Sequence, residues 1–188
     1  MTAVATRHRF TTADFQRMGA AGIFPPDARI ELVNGEIVDM SPVGPRHSGI
    51  VNLLNISLGG SLSKGWIVCV QNPVDLGSFD MPHPDICLAR WRKDLYRFRH
   101  PVVADIGLLV EVAETSLEFD TGEKRQMYAS KGIAEYWVVD IPNRRLEVST
   151  GPGPRGFEST VVLSPGDTAS STLVDGARIA VSDLFPAE

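Results

Sequence analysis

Long apolar runs are the first thing this sequence lacks. No stretch approaches the ~20 consecutive apolar residues that a helix needs to span a bilayer, and Thr6-Arg7-His8-Arg9 stands where a secretory signal would begin its apolar core. These absences predict a cytoplasmic chain with no membrane partner. Cysteine is scarce too: Cys69 and Cys87 each sit alone inside an apolar run, with no Cys-x-x-Cys or Cys/His spacing nearby. That pattern argues against a zinc site or a disulfide and predicts buried, reduced thiols. Positive charge is in deficit, with a net charge of -5 and a pI near 5.4, so bulk electrostatic coating of nucleic acid is not expected. Aromatic residues make up only 7%, a thin supply of stacking platforms for a glycoside hydrolase built on paired carboxylates.

What is present suits an ordinary globular protein. The 188 residues are 43% hydrophobic and 22% charged, with no repeat, low-complexity tract or linker, so a single domain spanning 1–188 is expected. One segment departs from the acidic average. Between positions 90 and 100, Arg90, Arg92, Lys93, Arg97 and Arg99 face Asp94 alone, with Trp91, Tyr96 and Phe98 interleaved. The mixture suits DNA phosphates and stacked bases, and equally a solvated loop whose aromatics tuck onto the core. Gly151, Gly153 and Gly156 formally match a dinucleotide fingerprint, but prolines lie between them and a strand follows where a helix is required, so a hairpin loop is predicted.

The spacing of apolar residues predicts a short helix over 10–20, capped by Thr11 or Thr12, with Phe15 and Met18 inward. The alternating run from Arg29 to Met40 folds about Asn34-Gly35 into a hairpin. Glu31 then points away from Ile30 and Leu32, toward solvent or a polar cleft. A helix over 45–63 carries the stripe Ile50, Val51, Leu54, Leu58 and Leu62, with His47 in its first turn, where a histidine is ordinarily a surface or capping residue. Strands are predicted at 66–70, 74–76 and 86–89. Pro82-His83-Pro84-Asp85 precedes the last of these, and its prolines put Asp85 where the strand begins. Later strands fall at 134–140, 145–150, 157–163, 172–174 and 178–181, with Leu184 and Phe185 as a closing anchor.

The central stretch is the apolar run from Ile106 to Val112, which reads as a strand buried on both faces. Glu111 interrupts it. A carboxylate in that setting is normally paired, hydrogen-bonded or bound to a metal ion, because burying it alone costs several kcal/mol. A helix over 120–131 should follow, with Asp120 as N-cap, Glu123 completing a capping box and Gly132 as its stop. It places Lys124, Tyr128 and Lys131 on one face. Strand, helix and strand together predict a parallel pair with a right-handed crossover. On these residues alone, a structural Glu111–Lys124 ion pair and a metal-dependent hydrolytic site with Asp85 as second acid both stay open.

Taken in order, Glu31-Leu32-Val33-Asn34-Gly35-Glu36, Met40-Ser41-Pro42 with His47, Pro84-Asp85-Ile86, Val110-Glu111-Val112, Asp120 with Lys124 and Tyr128, and Glu135 to Asp140 resemble one family. It is the Uma family (Uma-two type) of the PD-(D/E)XK, restriction-endonuclease-like superfamily. The resemblance implies an α/β fold, a mixed central sheet flanked by helices with a β-rich C-terminal part, and a metal-dependent endonuclease acting on DNA. Asp85 and Glu111 match the motif's two acids. They imply an Mg²⁺ or Mn²⁺ site completed by the carbonyl of Val112. The superfamily's lysine two residues after the second acid is replaced by Ala113, and Lys124 stands at the position from which this family's lysine comes. Glu31 matches a further acidic position. His47 and Tyr128 match recurring positions of accessory character. On this reading, removing a carboxylate should abolish turnover, and Lys124→Ala should weaken turnover without unfolding the chain. A homodimer suits one cut per strand of a duplex. The alternative is a non-catalytic nucleic-acid-binding or assembly module on the same fold.

Overall fold

The computed structural model describes residues 6–186. Helix α1 (Thr12–Ala20) starts at a capping box in which Thr11 Oγ1 accepts from the Asp14 N–H and the Asp14 carboxylate accepts from the Thr11 N–H. Strands β1 (Ile30–Val33) and β2 (Glu36–Asp39) form the expected hairpin. Its turn residues Asn34 and Gly35 both have positive φ, 52° and 78°, the geometry that makes Asn-Gly favourable there. Helix α2 (Pro45–Ser61) opens with proline in its first turn.

Six strands make the central sheet, in the order β3-β4-β5-β6-β7-β8: β3 (Trp66–Val70), β4 (Ile86–Arg90), β5 (Ile106–Ala113), β6 (Glu135–Asp140), β7 (Arg145–Gly153) and β8 (Gly156–Leu163). Only β5 and β6 run parallel, joined by a helical crossover as the sequence predicted. Alternate residues of β5 serve opposite layers. Leu108, Val110 and Val112 pack with Ile50, Val51, Leu54 and Leu58 of α2, while Leu109 and Ala113 face Met127 and Tyr128. Glu111 therefore lies on the second face, among apolar neighbours.

Three local expectations need correction. Residues 74–76 form no strand; Asp75 makes only an isolated bridge to Val102, because Val74 and Leu76 donate their N–H groups back to Pro82 and Asp80 across a tight local loop. Residues 172–174 are not a strand either. Ser171 Oγ accepts the N–H groups of Leu173 and Val174, and Glu135 accepts that of Thr172, so side chains replace a ladder. The final antiparallel pair is instead β9 (Thr168–Ser170) with β10 (Arg178–Ala180), followed by the short helix α5 (Val181–Leu184) and the buried Phe185. Third, the crossover begins earlier than predicted. A turn α3 (Leu117–Phe119) leads into a π-helical turn over Asp120–Lys124 and then into α4 (Arg125–Ser130). Asp120 is thus inside the helix and accepts from Ser116 Oγ, and no capping box with Glu123 forms there. Gly132, at φ 81°, ends the helix as predicted.

Candidate metal and active site

Antiparallel register creates the site. Ile86 pairs with Val110, so Asp85, one residue earlier, comes to lie opposite Glu111. The two acids are tied through the backbone: the Asp85 N–H donates to Glu111 Oε2 at 3.3 Å, and the Val112 N–H donates to Asp85 Oδ2 at 2.9 Å. The extra residue of the π turn holds both Asp120 and Lys124 inward, each almost fully buried. Lys124 Nζ stands 3.0 Å from Glu111 Oε1, 3.0 Å from Glu31 Oε1 and 3.8 Å from Asp120 Oδ1. Tyr128 OH donates to Glu111 Oε1 at 2.9 Å. Glu31 faces this polar cleft and not solvent, its second oxygen accepting the His83 N–H.

The substitution of Ala113 for the motif lysine has a geometric explanation. Residues 111 and 113 share one sheet face, and the crossover helix covers that face. A lysine from the helix reaches the carboxylate from the side on which a lysine at 113 would have stood.

His47 and Gln71 complete the surroundings of Asp85. His47 Nε2 is 3.0 Å from Asp85 Oδ2, and Gln71 Nε2 donates to Asp85 Oδ1 at 3.0 Å. The first turn of α2 therefore supplies a site neighbour where the sequence suggested a surface residue. Gln71 carried no sequence signal: it holds a left-handed φ of 51°, a conformation ordinarily left to glycine or asparagine. Asp120 was misassigned as a cap, and its acid-then-lysine spacing within one helix was the available clue.

The two motif acids are pushed in opposite directions. Burial works to raise Asp85, but hydrogen bonds from His47, Gln71 and the Val112 N–H outweigh it and hold the carboxyl below its usual range. Burial drives Glu111 well above its usual range against the pull of Lys124, and repulsion from Asp120, Asp85 and Glu31 adds to the rise. Burial alone would lower Lys124; the charges of Glu111, Glu31 and Asp120 overcome that and keep the ammonium protonated. Glu31, Glu111 and Asp120 thus share Lys124 as their buried cation, with Asp85 buried beside Glu111, leaving a surplus of negative charge.

That surplus, made of hard oxygen donors, fits a divalent cation. Among the described residues no set of three His, Cys, Asp or Glu side chains is spaced as a ready cage. The fit is to an ion that takes one or two carboxylates and keeps water, as Mg²⁺ does. Glu111 Oε2 has only the long contact from Asp85 N–H, and His47 Nδ1 is buried with no hydrogen-bond partner. The acids, His47 and Lys124 line a cavity of about 290 Å³.

The basic segment lies elsewhere. β4 runs from beside Asp85 to Arg90, ~16 Å at ~3.3 Å per residue, so Arg90, Arg92, Lys93, Arg97 and Arg99 are not brought to the cavity. Arg92 pairs with Asp94, Arg99 pairs with Asp105, and Arg90 stacks on Trp66. Tyr96 tucks inward, but Trp91 and Phe98 are 55% and 87% exposed. Burial also bears on the expected effect of Lys124→Ala. Removing an ammonium enclosed by three carboxylates should destabilise the fold, so the burial of Lys124 predicts a less stable variant where the sequence alone predicted an intact one.

Comparison with known proteins places the chain in a family. Residues 12–182 match Uma2, a family described as "Putative restriction endonuclease". The chain belongs to the Uma2 family. A crystal structure described as a "putative nuclease" from Anabaena variabilis resembles this Uma2 chain with a TM-score of 0.73 at 14% identity, covering 94% of this chain and 97% of that one. At that identity the likeness is one of fold. A search of curated proteins finds no match. Uma2 membership supports a nuclease role, and among the described residues no helix is long and apolar enough to cross a membrane.

Proposed function

We propose that this Uma2 chain is a divalent-metal-dependent endonuclease that hydrolyses phosphodiester bonds of DNA. The observation carrying the proposal is the meeting of Asp85 and Glu111 in one cavity with Lys124 Nζ 3.0 Å from Glu111. Asp85, Glu111 and the Val112 carbonyl would hold Mg²⁺ or Mn²⁺, which supplies a Lewis acid that acidifies water and neutralises charge on the phosphorus centre. The chain's own groups do the positioning. His47, Gln71 and the Val112 N–H keep Asp85 ionised and fixed. Lys124, oriented by Glu31 and Asp120, presents positive charge where the pentacoordinate phosphorus gathers negative charge. Tyr128 holds the Glu111 carboxylate in register. Exposed Trp91 and Phe98 with Lys93 and Arg97 suit a duplex or frayed strand beyond the scissile phosphate. A homodimer would present one site to each strand of a duplex.

The test is cleavage of supercoiled and linear DNA with Mg²⁺ or Mn²⁺, paired with calorimetric titration of metal into parent and Glu111→Ala. Metal-dependent cutting lost in Asp85→Ala, with metal uptake lost in Glu111→Ala, is the expected result. No cutting over a range of DNA forms, with Asp85→Ala indistinguishable from the parent, overturns it. The second reading is a non-catalytic nucleic-acid-binding module. The closed ion network around Lys124 favours it, and it predicts salt-sensitive binding that ignores metal.

A further inference from the structure

We propose that the cavity admits its DNA as an unpaired strand, with the nucleotide beside the scissile phosphate lying out of the stack against Phe119 and its phosphate held by Arg29. The inference rests on the nuclease reading for the identity of the ligand, and it starts from how deep the acids lie. Glu31, Asp85 and Glu111 are 2%, 5% and 3% exposed. They line a cavity of about 290 Å³, and a phosphodiester has to enter it to meet them. In a stacked duplex each phosphate is held on a stiff helical surface, whereas an unpaired strand can lead one phosphate inward. A frayed end, a flap or a strained stretch of duplex presents such a strand.

Charge at the cavity sorts the two forms of DNA. A protein that grips a duplex neutralises a run of phosphates with lysine and arginine. Here the segment 39–44 lines the cavity without a basic residue, and Glu114 adds a further carboxylate. Lys124 is enclosed by its three acids, which leaves Arg29 as the lining cation for a phosphate. The hairpin ladder continues one pair beyond Ile30, with the Met40 N–H donating to the Arg29 carbonyl. Side-chain alternation therefore sets Arg29 on the hairpin face of Glu31, ~7 Å along the strand. Its Nη1 donates to the Ser41 carbonyl at 3.0 Å, which fixes the guanidinium, and among the described residues no carboxylate pairs with it. The rest of the fork is open to phosphate oxygens. Phe119 supplies the platform. It ends α3 just before the π-helical turn, and its half-buried ring lines the same cavity with its centroid 5.6 Å from Lys124 Nζ. A base drawn from its stack recovers on such a ring the contact it has lost.

The test is the binding of a fluorescent single-stranded oligonucleotide, and of the same strand annealed to its complement, followed by anisotropy in Ca²⁺. The parent should bind the single strand about tenfold or more tightly than the duplex, which must first unpair. Phe119→Leu keeps apolar packing but removes the flat ring, and should weaken single-strand binding about tenfold, whereas Phe119→Tyr should bind as the parent does. Arg29→Ala should lower the salt slope of single-strand binding by ~0.7, the share of one phosphate, and Arg29→Lys should keep it. Duplex bound as tightly as the single strand, or affinity and salt slope unmoved in Phe119→Leu and Arg29→Ala, overturns the proposal. The result separates from that of the nuclease reading. A parent that binds in this pattern but cuts no DNA in Mg²⁺ or Mn²⁺ loses the enzyme and keeps the subsite, and one that cuts duplex as fast as single strand loses the subsite and keeps the enzyme.

Discussion

At the Asp85 end of β4, Glu31, Asp85, Glu111, Asp120 and Lys124 arrive from the first hairpin, two strands and the crossover helix, and all are buried. At the Arg90 end, Arg92 finds Asp94 two residues on and Arg99 finds Asp105 six residues on, in contact with water. The types of charge are the same. Exposed pairs such as Arg92–Asp94 contribute little because water screens them, and their energy is indifferent to the rest of the fold. Buried groups cannot be left unbalanced, so the acid end carries a surplus that the proposed cation would relieve. The proposed chemistry belongs at the end where water has been excluded and charge remains in surplus.

The largest effect that would break this contrast is on catalysis. Asp85→Ala or Glu111→Ala should slow plasmid nicking by ~100-fold or more, the scale for losing one electrostatic partner of a charged transition state. Next in size is stability. Lys124→Ala should cost ~3–5 kcal/mol in denaturant unfolding, because Glu31, Glu111 and Asp120 are left without their cation. A loss no larger than that of a surface lysine would mean that the acid end is as solvated as the basic end.

Tyr128→Phe should follow, at about 2 kcal/mol, from removing a hydrogen bond to a buried carboxylate. The pH dependence of the metal-free protein sharpens the same comparison. Folding raises Glu111 and Asp120 above their ordinary values of 4.5 and 3.8. Stability tied to those groups is complete below the ordinary values and is lost as pH rises through the raised ones. Asp85 is lowered, so its contribution is present above its ordinary value of 3.8 and is lost as pH falls through the depressed one. The Tm in chelator should therefore decline as pH climbs above the ordinary carboxylate range, and Mg²⁺ should flatten that decline. An identical slope with and without metal would show that the surplus charge is not what a cation relieves. The smallest effects belong to the basic end. Lys93→Ala and Arg97→Ala should leave stability within ~0.5 kcal/mol, while each lowers the salt slope of DNA binding by ~1.

Much of the acid end was legible residue by residue. An acid inside an eight-residue buried strand marked Glu111, the prolines before Asp85 placed it at a strand start, and Asn34-Gly35 fixed the parity that turns Glu31 away from Leu32. These signals are local, set by side-chain alternation and turn geometry. His47, Gln71 and Asp120 were not legible in the same way. His47 reaches Asp85 across 38 positions, Gln71 depends on an uncommon backbone angle, and Asp120 looked like an N-cap because a π turn leaves no mark in residue types. The basic segment was the reverse case. Its composition was plain, but only the run of β4 revealed that it lies at the far end of the sheet from the carboxylates.

The sequence by itself determined the elements: which stretches are strands, where the hairpin turns, which acids and which lysine are set among apolar neighbours. Period-two alternation, turn chemistry and the cost of burying charge act over a few residues, so they can be read from a string. The tertiary structure alone decided which charges share a cavity and which protonation each one favours. Those depend on register between distant strands and on the exclusion of water, and neither exists until the layers have packed.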